Sequence, residues 1–130
     1  MGLTASLING TQSIDNTNNQ ICVDFTVAFS GNYGTSGGAL PHGDTLDLSV
    51  LGVPSSQLPT LVTFQEVVPT GNAPRLTDVF IYLPGTTQAN GVLQIGVAGS
   101  EITPGNAYSG QAPFNVTGFV LNGRAWFQSY

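Results

Sequence analysis

The segment QICVDFTVAFS, residues 20–30, alternates apolar with small or polar side chains without a break. Successive side chains of an extended chain point to opposite faces. Ile21, Val23, Phe25, Val27 and Phe29 therefore share one face, and Cys22, Asp24, Thr26 and Ala28 the other. A helix repeats its faces every 3.6 residues, so this spacing gives it no apolar stripe. The segment reads as a half-buried β-strand, and its period recurs along the chain.

DTLDLSVL (44–51) repeats it, with Leu46, Leu48 and Val50 inward and Thr45, Asp47 and Ser49 outward. Further strands are expected over 3–9, 61–68, 77–83, 92–98, 114–121 and 124–130. Glycines, prolines and Asn-Gly pairs stand between them. Asn122-Gly123 accepts the positive φ angles of a type I′ turn, so LNGRAWF (121–127) predicts a tight hairpin. No window carries a sustained helical stripe, and strong helix formers are not clustered. About eight short strands with turn signals between them predict an all-β fold, a two-sheet antiparallel sandwich with jelly-roll as the leading topology. The inward set is expected to contain Ile21, Val23, Phe25, Val27, Phe29, Leu46, Leu48, Val50, Ile81, Leu93 and Ile95. The 130 residues form one expected domain, 1–130, with 1–19 as an extended N-terminal arm or first strand.

Charge narrows the function. Only 7% of residues are charged, with Arg75 and Arg124 the sole cations and a net charge of −5. Nucleic-acid binding relies on clustered cations to displace phosphate counterions, and none are clustered here. The same balance disfavours an anionic membrane surface. The first ten residues have neither a basic region nor a long apolar run, so no classical secretory signal is expected. Cys22 is the one cysteine, which rules out an intrachain disulfide and multi-cysteine zinc.

The one histidine, His42, stands in GGALPHGDTLDLS close to Asp44 and Asp47. Asp44 and Asp47 are three apart in a strand, so they face opposite ways, and no second imidazole is available. The stretch reads as a loop and strand start, with no metal, no cofactor and no catalysis expected there. No serine lies in G-x-S-x-G, and SGNYGTSGG (30–38) lacks the lysine of a phosphate loop. The chain is not expected to be an enzyme. Trp126, Phe127 and Tyr130 crowd the C-terminus, and Tyr33 lies among glycines. Alternation puts Trp126 and Phe127 on opposite faces, leaving one outside the core. These four aromatics are the candidate interface residues.

Three segments, SGNYGTSGGALPHGDTLDLSVLGVP (30–54), YLPGTTQANGVLQI (82–95) and VAGSEITPGNAYS (97–109), carry a resemblance. Together they are similar to small proteins encoded beside the major capsid protein of tailed bacteriophages, which look like head decoration or cement proteins of jelly-roll type. The resemblance covers the centre of the chain and rests on turns and strands, not on chemistry. It implies a virion protein made in the host cytoplasm and placed on the phage head. It also implies two partners, the major capsid protein and further copies of the chain in a homotrimer. The alternative function is a carbohydrate- or receptor-binding module of a phage tail or cell surface, with Asn32, Tyr33, Asp44 and Trp126 as its platform.

Overall fold

The structure, a computed structural model, describes residues 2–8, 12–15, 19–34, 43–67, 78–103, 105–111, 113–115 and 118–128. Nine strands lie within them: β1 (Leu3–Leu7), β2 (Ser13–Asp15), β3 (Gln20–Phe29), β4 (Asp44–Thr45), β5 (Leu58–Val67), β6 (Val79–Leu83), β7 (Val92–Val97), β8 (Ser100–Glu101) and β9 (Val120–Gln128). They form two antiparallel sheets, the β-sandwich that the alternation predicts. The larger runs β1-β3-β9-β5, and β2 also pairs β3. The smaller runs β4-β7-β6, with β8 also on β7.

Strand β3 is long enough to take two partners on one edge. Its second half pairs with β1, Leu3 opposite Phe29 through Leu7 opposite Phe25. Its first half pairs with β2, Ser13 opposite Cys22. Both partners run antiparallel to β3, so β1 and β2 lie end to end along one edge of it. β7 plays the equivalent part in the smaller sheet, carrying β4 at Val92 and Leu93 and β8 at Gly96 and Val97. The β7–β8 hairpin turns on Ala98 (φ 54) and Gly99 (φ 84). Two central residues at positive φ suit the right-handed strand twist, as in a type I′ turn.

The inward faces meet as alternation requires. Val23, Phe25 and Val27 of β3 and Leu121, Ala125 and Phe127 of β9 pack toward Leu93 and Ile95 of β7 and toward Leu46, Leu48 and Leu51. Phe25 meets Phe64 edge-on at 6.2 Å, and Phe64 lies 6.2 Å from Phe80, so one aromatic line crosses between the sheets. A second aromatic cluster closes one end. Phe29 lies 4.5 Å from Phe114 and 5.2 Å from Tyr108, and Tyr108 lies 6.1 Å from Tyr33.

Four expectations need correction. Residues 121–127 are not a hairpin: Asn122 and Gly123 sit inside continuous β9, opposite Thr26 and Phe25. Gly123 is there for space, since a Cβ would lie 2.3 Å from Phe25 Cζ. A glycine inside a strand often marks such a close approach. Residues 114–121 are not one strand: 113–115 and 118 are turn, with Gly118 at φ 83, and Phe114 and Phe119 pack 5.8 Å apart in the aromatic cluster.

The stretch 44–51 leaves the sheet after Thr45, and Ser49–Leu51 forms a 3-10 turn that Gly52 ends at φ 81. Asp47 Oδ1 accepts the Ser49 N–H and Oγ–H, the local bond by which aspartate diverts a backbone from a ladder. Val50 consequently emerges, 56% exposed, instead of joining the core. Ile81 is also outside, 48% exposed, because β6 turns Phe80 and Tyr82 inward. The other nine residues of the expected inward set are buried or packed against the core.

The PGTTQANG stretch (84–91) has a structural reason for its composition. The Gln88 side chain is buried, and its Nε2 donates to the carbonyls of Pro54 (2.8 Å) and Gln57 (2.7 Å). The turn is thereby tied to the loop after the 3-10 segment. Asn90 closes it locally, accepting the Thr87 N–H and donating to Thr86 Oγ1. Backbone bonds from Leu46 N–H to Gly91 and from Leu48 N–H to Gln88 lay residues 46–48 alongside it.

Candidate functional site

On the outer face of the larger sheet, register stacks side chains in rows across β3, β9 and β5. One row reads Cys22, Trp126, Leu61; the next Asp24, Arg124, Thr63; the next Thr26, Asn122, Gln65; and the last Val120 beside Val67. The bulge between Pro59 and Leu61 sets this phase on β5. An extra residue there swings Leu61, Thr63, Gln65 and Val67 outward while Pro59 stays buried.

Arg124 and Asp24 form the fixed centre. Arg124 Nε donates to Asp24 Oδ1 at 2.6 Å and Nη2 to Oδ2 at 2.9 Å, a two-pronged pair between neighbouring strands. The Arg124 hydrogen bond holds the Asp24 carboxyl below its ordinary range, with burial acting against it. The same bond raises the Arg124 guanidinium still higher. Burial pushes the Cys22 thiol up, and Arg124 partly offsets this. Beside the pair lies a depression of about 540 Å³, with Trp126, Thr63, Asn122 and Ile8 among its lining residues.

The smaller sheet's outer face is built differently. Val79 and Ile81 are each 48% exposed, and Gln94 and Gly96 sit across from them on β7. The missing side chain at Gly96 opens a second hollow, of about 270 Å³, reaching Ser100 and Glu101.

The candidate interface aromatics separate. Trp126 is half-buried on the outer face, whereas Phe127, its neighbour in sequence, is wholly buried. Tyr33 is wholly buried too, so neither Tyr33 nor Phe127 offers its ring to a partner. Both are core residues: Phe127 by strand parity, Tyr33 because the loops fold over it. The Tyr33 N–H donates to the Asn106 carbonyl, and the Gly105 N–H to the Tyr33 carbonyl. Its hydroxyl donates to Glu101 Oε1 at 2.7 Å and accepts the Ile95 N–H. Asp44 is buried as well, taking the Tyr108 hydroxyl on Oδ2 at 2.9 Å. Burial, with the carboxylates second, lifts both tyrosine hydroxyls well above their usual range. Of the imagined sugar platform, only Asn32 and Trp126 remain accessible. Tyr130 and His42 lie outside the described residues.

Among the described residues no three His, Cys, Asp or Glu side chains gather as metal ligands, and no helix is long and apolar enough to cross a membrane. Sequence reading missed the roles of Asp24 and Arg124. The outward parity of Asp24 was visible, but Arg124 lies a hundred residues away, and nothing in either segment states that β3 and β9 are neighbours. Comparison of the chain with protein-family models, with curated proteins and with solved structures finds no match.

Proposed function

We propose that the chain is a structural protein of a tailed-phage virion, which binds the outside of the head and stabilises the shell. The observation that carries this is the apolar outer face of the smaller sheet, Val79 and Ile81 around the hollow at Gly96. Contiguous exposed apolar surface marks an interaction site more reliably than scattered apolar residues do. A surface so poor in charge also has little like-charge repulsion to keep copies apart. Copies associate through this face into a homo-oligomer, a trimer by the resemblance to head decoration proteins. The trimer binds the major capsid protein. The finer jelly-roll topology belongs to the same proposal.

A trimer bridging neighbouring capsid subunits adds weak contacts as avidity and needs no single strong site. Because it binds only the intact shell, mass action shifts the shell toward assembly. The test compares phage particles with and without the protein. Many copies per head and greater heat tolerance are expected. A few copies confined to the tail, or a stable monomer in solution, would contradict the proposal.

A further inference from the structure

The larger sheet's outer face has a chemistry that shell binding leaves unused. The half-buried Trp126 ring and the 54% exposed Leu61 form an apolar row. The next row holds the Arg124–Asp24 pair and the Thr63 hydroxyl, and the one beyond holds the Asn122 and Gln65 amides. Rows on one face lie two residues apart, about 7 Å, and neighbouring strands about 4.8 Å. The array therefore offers an apolar surface about one sugar ring away from a field of planar and hydroxyl hydrogen-bonding groups.

A pyranose matches both halves. One face of the ring presents C–H groups, which suit an aromatic surface, and its rim presents hydroxyls that both donate and accept. Asp24 occupies two of the five N–H groups of Arg124, so three others are not spent on it. The amides of Asn122 and Gln65 supply both donors and acceptors. Charge narrows the class further. The cation is already paired with a carboxylate, and the chain carries −5 overall, so an anionic ligand gains little and is repelled at long range. The depression of about 540 Å³ is large enough for more than one sugar.

We propose that this face binds a neutral glycan, one pyranose against Trp126 and Leu61 and its neighbour over Arg124 and Asn122. The site is independent of the shell-binding reading and of the opposite face. Mixed apolar and precisely placed polar groups are the usual make-up of small-ligand sites.

The chain has one tryptophan, so indole fluorescence reads this site directly. The full chain is titrated with maltotriose, cellotriose and N,N′-diacetylchitobiose, each to about 20 mM, a range that reaches millimolar affinities. At least one should give a saturable change, weakened about tenfold or more by Arg124→Ala and by Asn122→Ala. Ser55→Ala, in an exposed turn used by neither face, should bind as the unmodified chain does. Calorimetry on Trp126→Ala should show the binding heat lost, with thermal melts confirming that each variant is folded. No saturable change with any of the three sugars would overturn the proposal. So would unaltered affinity in folded Arg124→Ala and Asn122→Ala, or a preference for a sulfated disaccharide.

Discussion

The two outer faces of the sandwich are made by the same rule and differ in their middle rows. On the larger sheet the central outward positions hold Asp24, Arg124, Thr63, Asn122 and Gln65, with charge compensated within the face. On the smaller sheet Val79 and Ile81 of the end strand β6 stand opposite Gly96 and Gln94 of the central β7. Period-two alternation decides only which residues point away from the core. What those residues are decides whether a face prefers water, a polar ligand or another protein. On the proposed reading, the two surfaces suit different partners.

The largest effect comes from releasing the hydroxyl bonds that tie two end loops to the smaller sheet. Tyr33 and Tyr108, on loops at one end, donate to Glu101 and Asp44 of the smaller sheet. Burial raises both hydroxyls, and lifts Tyr82 to about 12. A free tyrosine titrates near pH 10. A folded-state pKa above that value means stability complete below about pH 10 and lost as pH rises through the folded values. Melting temperature should fall steeply above about pH 10. Tyr108→Phe, which leaves Asp44 buried without its donor, should cost about 1–3 kcal/mol at neutral pH. An unchanged melting temperature at pH 11 and in Tyr108→Phe would show that these hydroxyls do not hold the loops to the sheet.

Comparable in size to the single tyrosine substitution is a contrast between two mid-strand glycines. Gly123 faces inward under the Phe25 ring, so Gly123→Val should cost about 3 kcal/mol by overpacking. Gly96 faces outward, where a Cβ would meet nothing nearer than 3.5 Å. Gly96→Ala should be neutral or stabilising by a few tenths of a kcal/mol, through the unfolded chain. Chemical denaturation measures both. If Gly123→Val were harmless, the parity of β9 would be wrong and Trp126 would not lie on the outer face.

That contrast also explains how much was legible from the chain. The strand at 20–29, the placing of Trp126 and Phe127 on opposite faces, and the start of a strand at Asp44 all follow from local periodicity. Asn122-Gly123 misleads because the pair has two physical uses, a positive φ in a turn or empty space beneath a ring. Only the position of Phe25, nearly a hundred residues earlier, selects the second. Tyr33 misleads in the same way: a tyrosine among glycines looks exposed until a distant loop, 105–108, pairs with it. Residues 49–51 depart from the strand because a single Asp47 side chain competes locally with the ladder. Local signals thus name faces, and long-range pairing decides what shares them.

Smallest is the ion pair. Asp24 and Arg124 are substantially exposed, at 21% and 53% of their side chains, so solvent screens their attraction. Asp24→Asn should cost under about 1 kcal/mol, and less in high salt. Because the folded Asp24 pKa is lowered, its contribution is present at neutral pH and fades as pH falls through the folded value. A loss much larger than this in thermal melts would make the pair a structural support and weaken its reading as part of a ligand surface.

The division of labour between the faces is tested most directly by sedimentation equilibrium of three chains: unmodified, Ile81→Asp and Thr63→Asp. Both substitutions place a carboxylate on an exposed strand position, one on each sheet. The unmodified chain should sediment as an oligomer with a trimer's mass. Ile81→Asp should be a folded monomer, its melting shifted only by loss of association, and Thr63→Asp should keep the oligomer. An oligomer that survives Ile81→Asp and dissociates with Thr63→Asp would contradict the account, placing self-association on the face assigned here to a glycan.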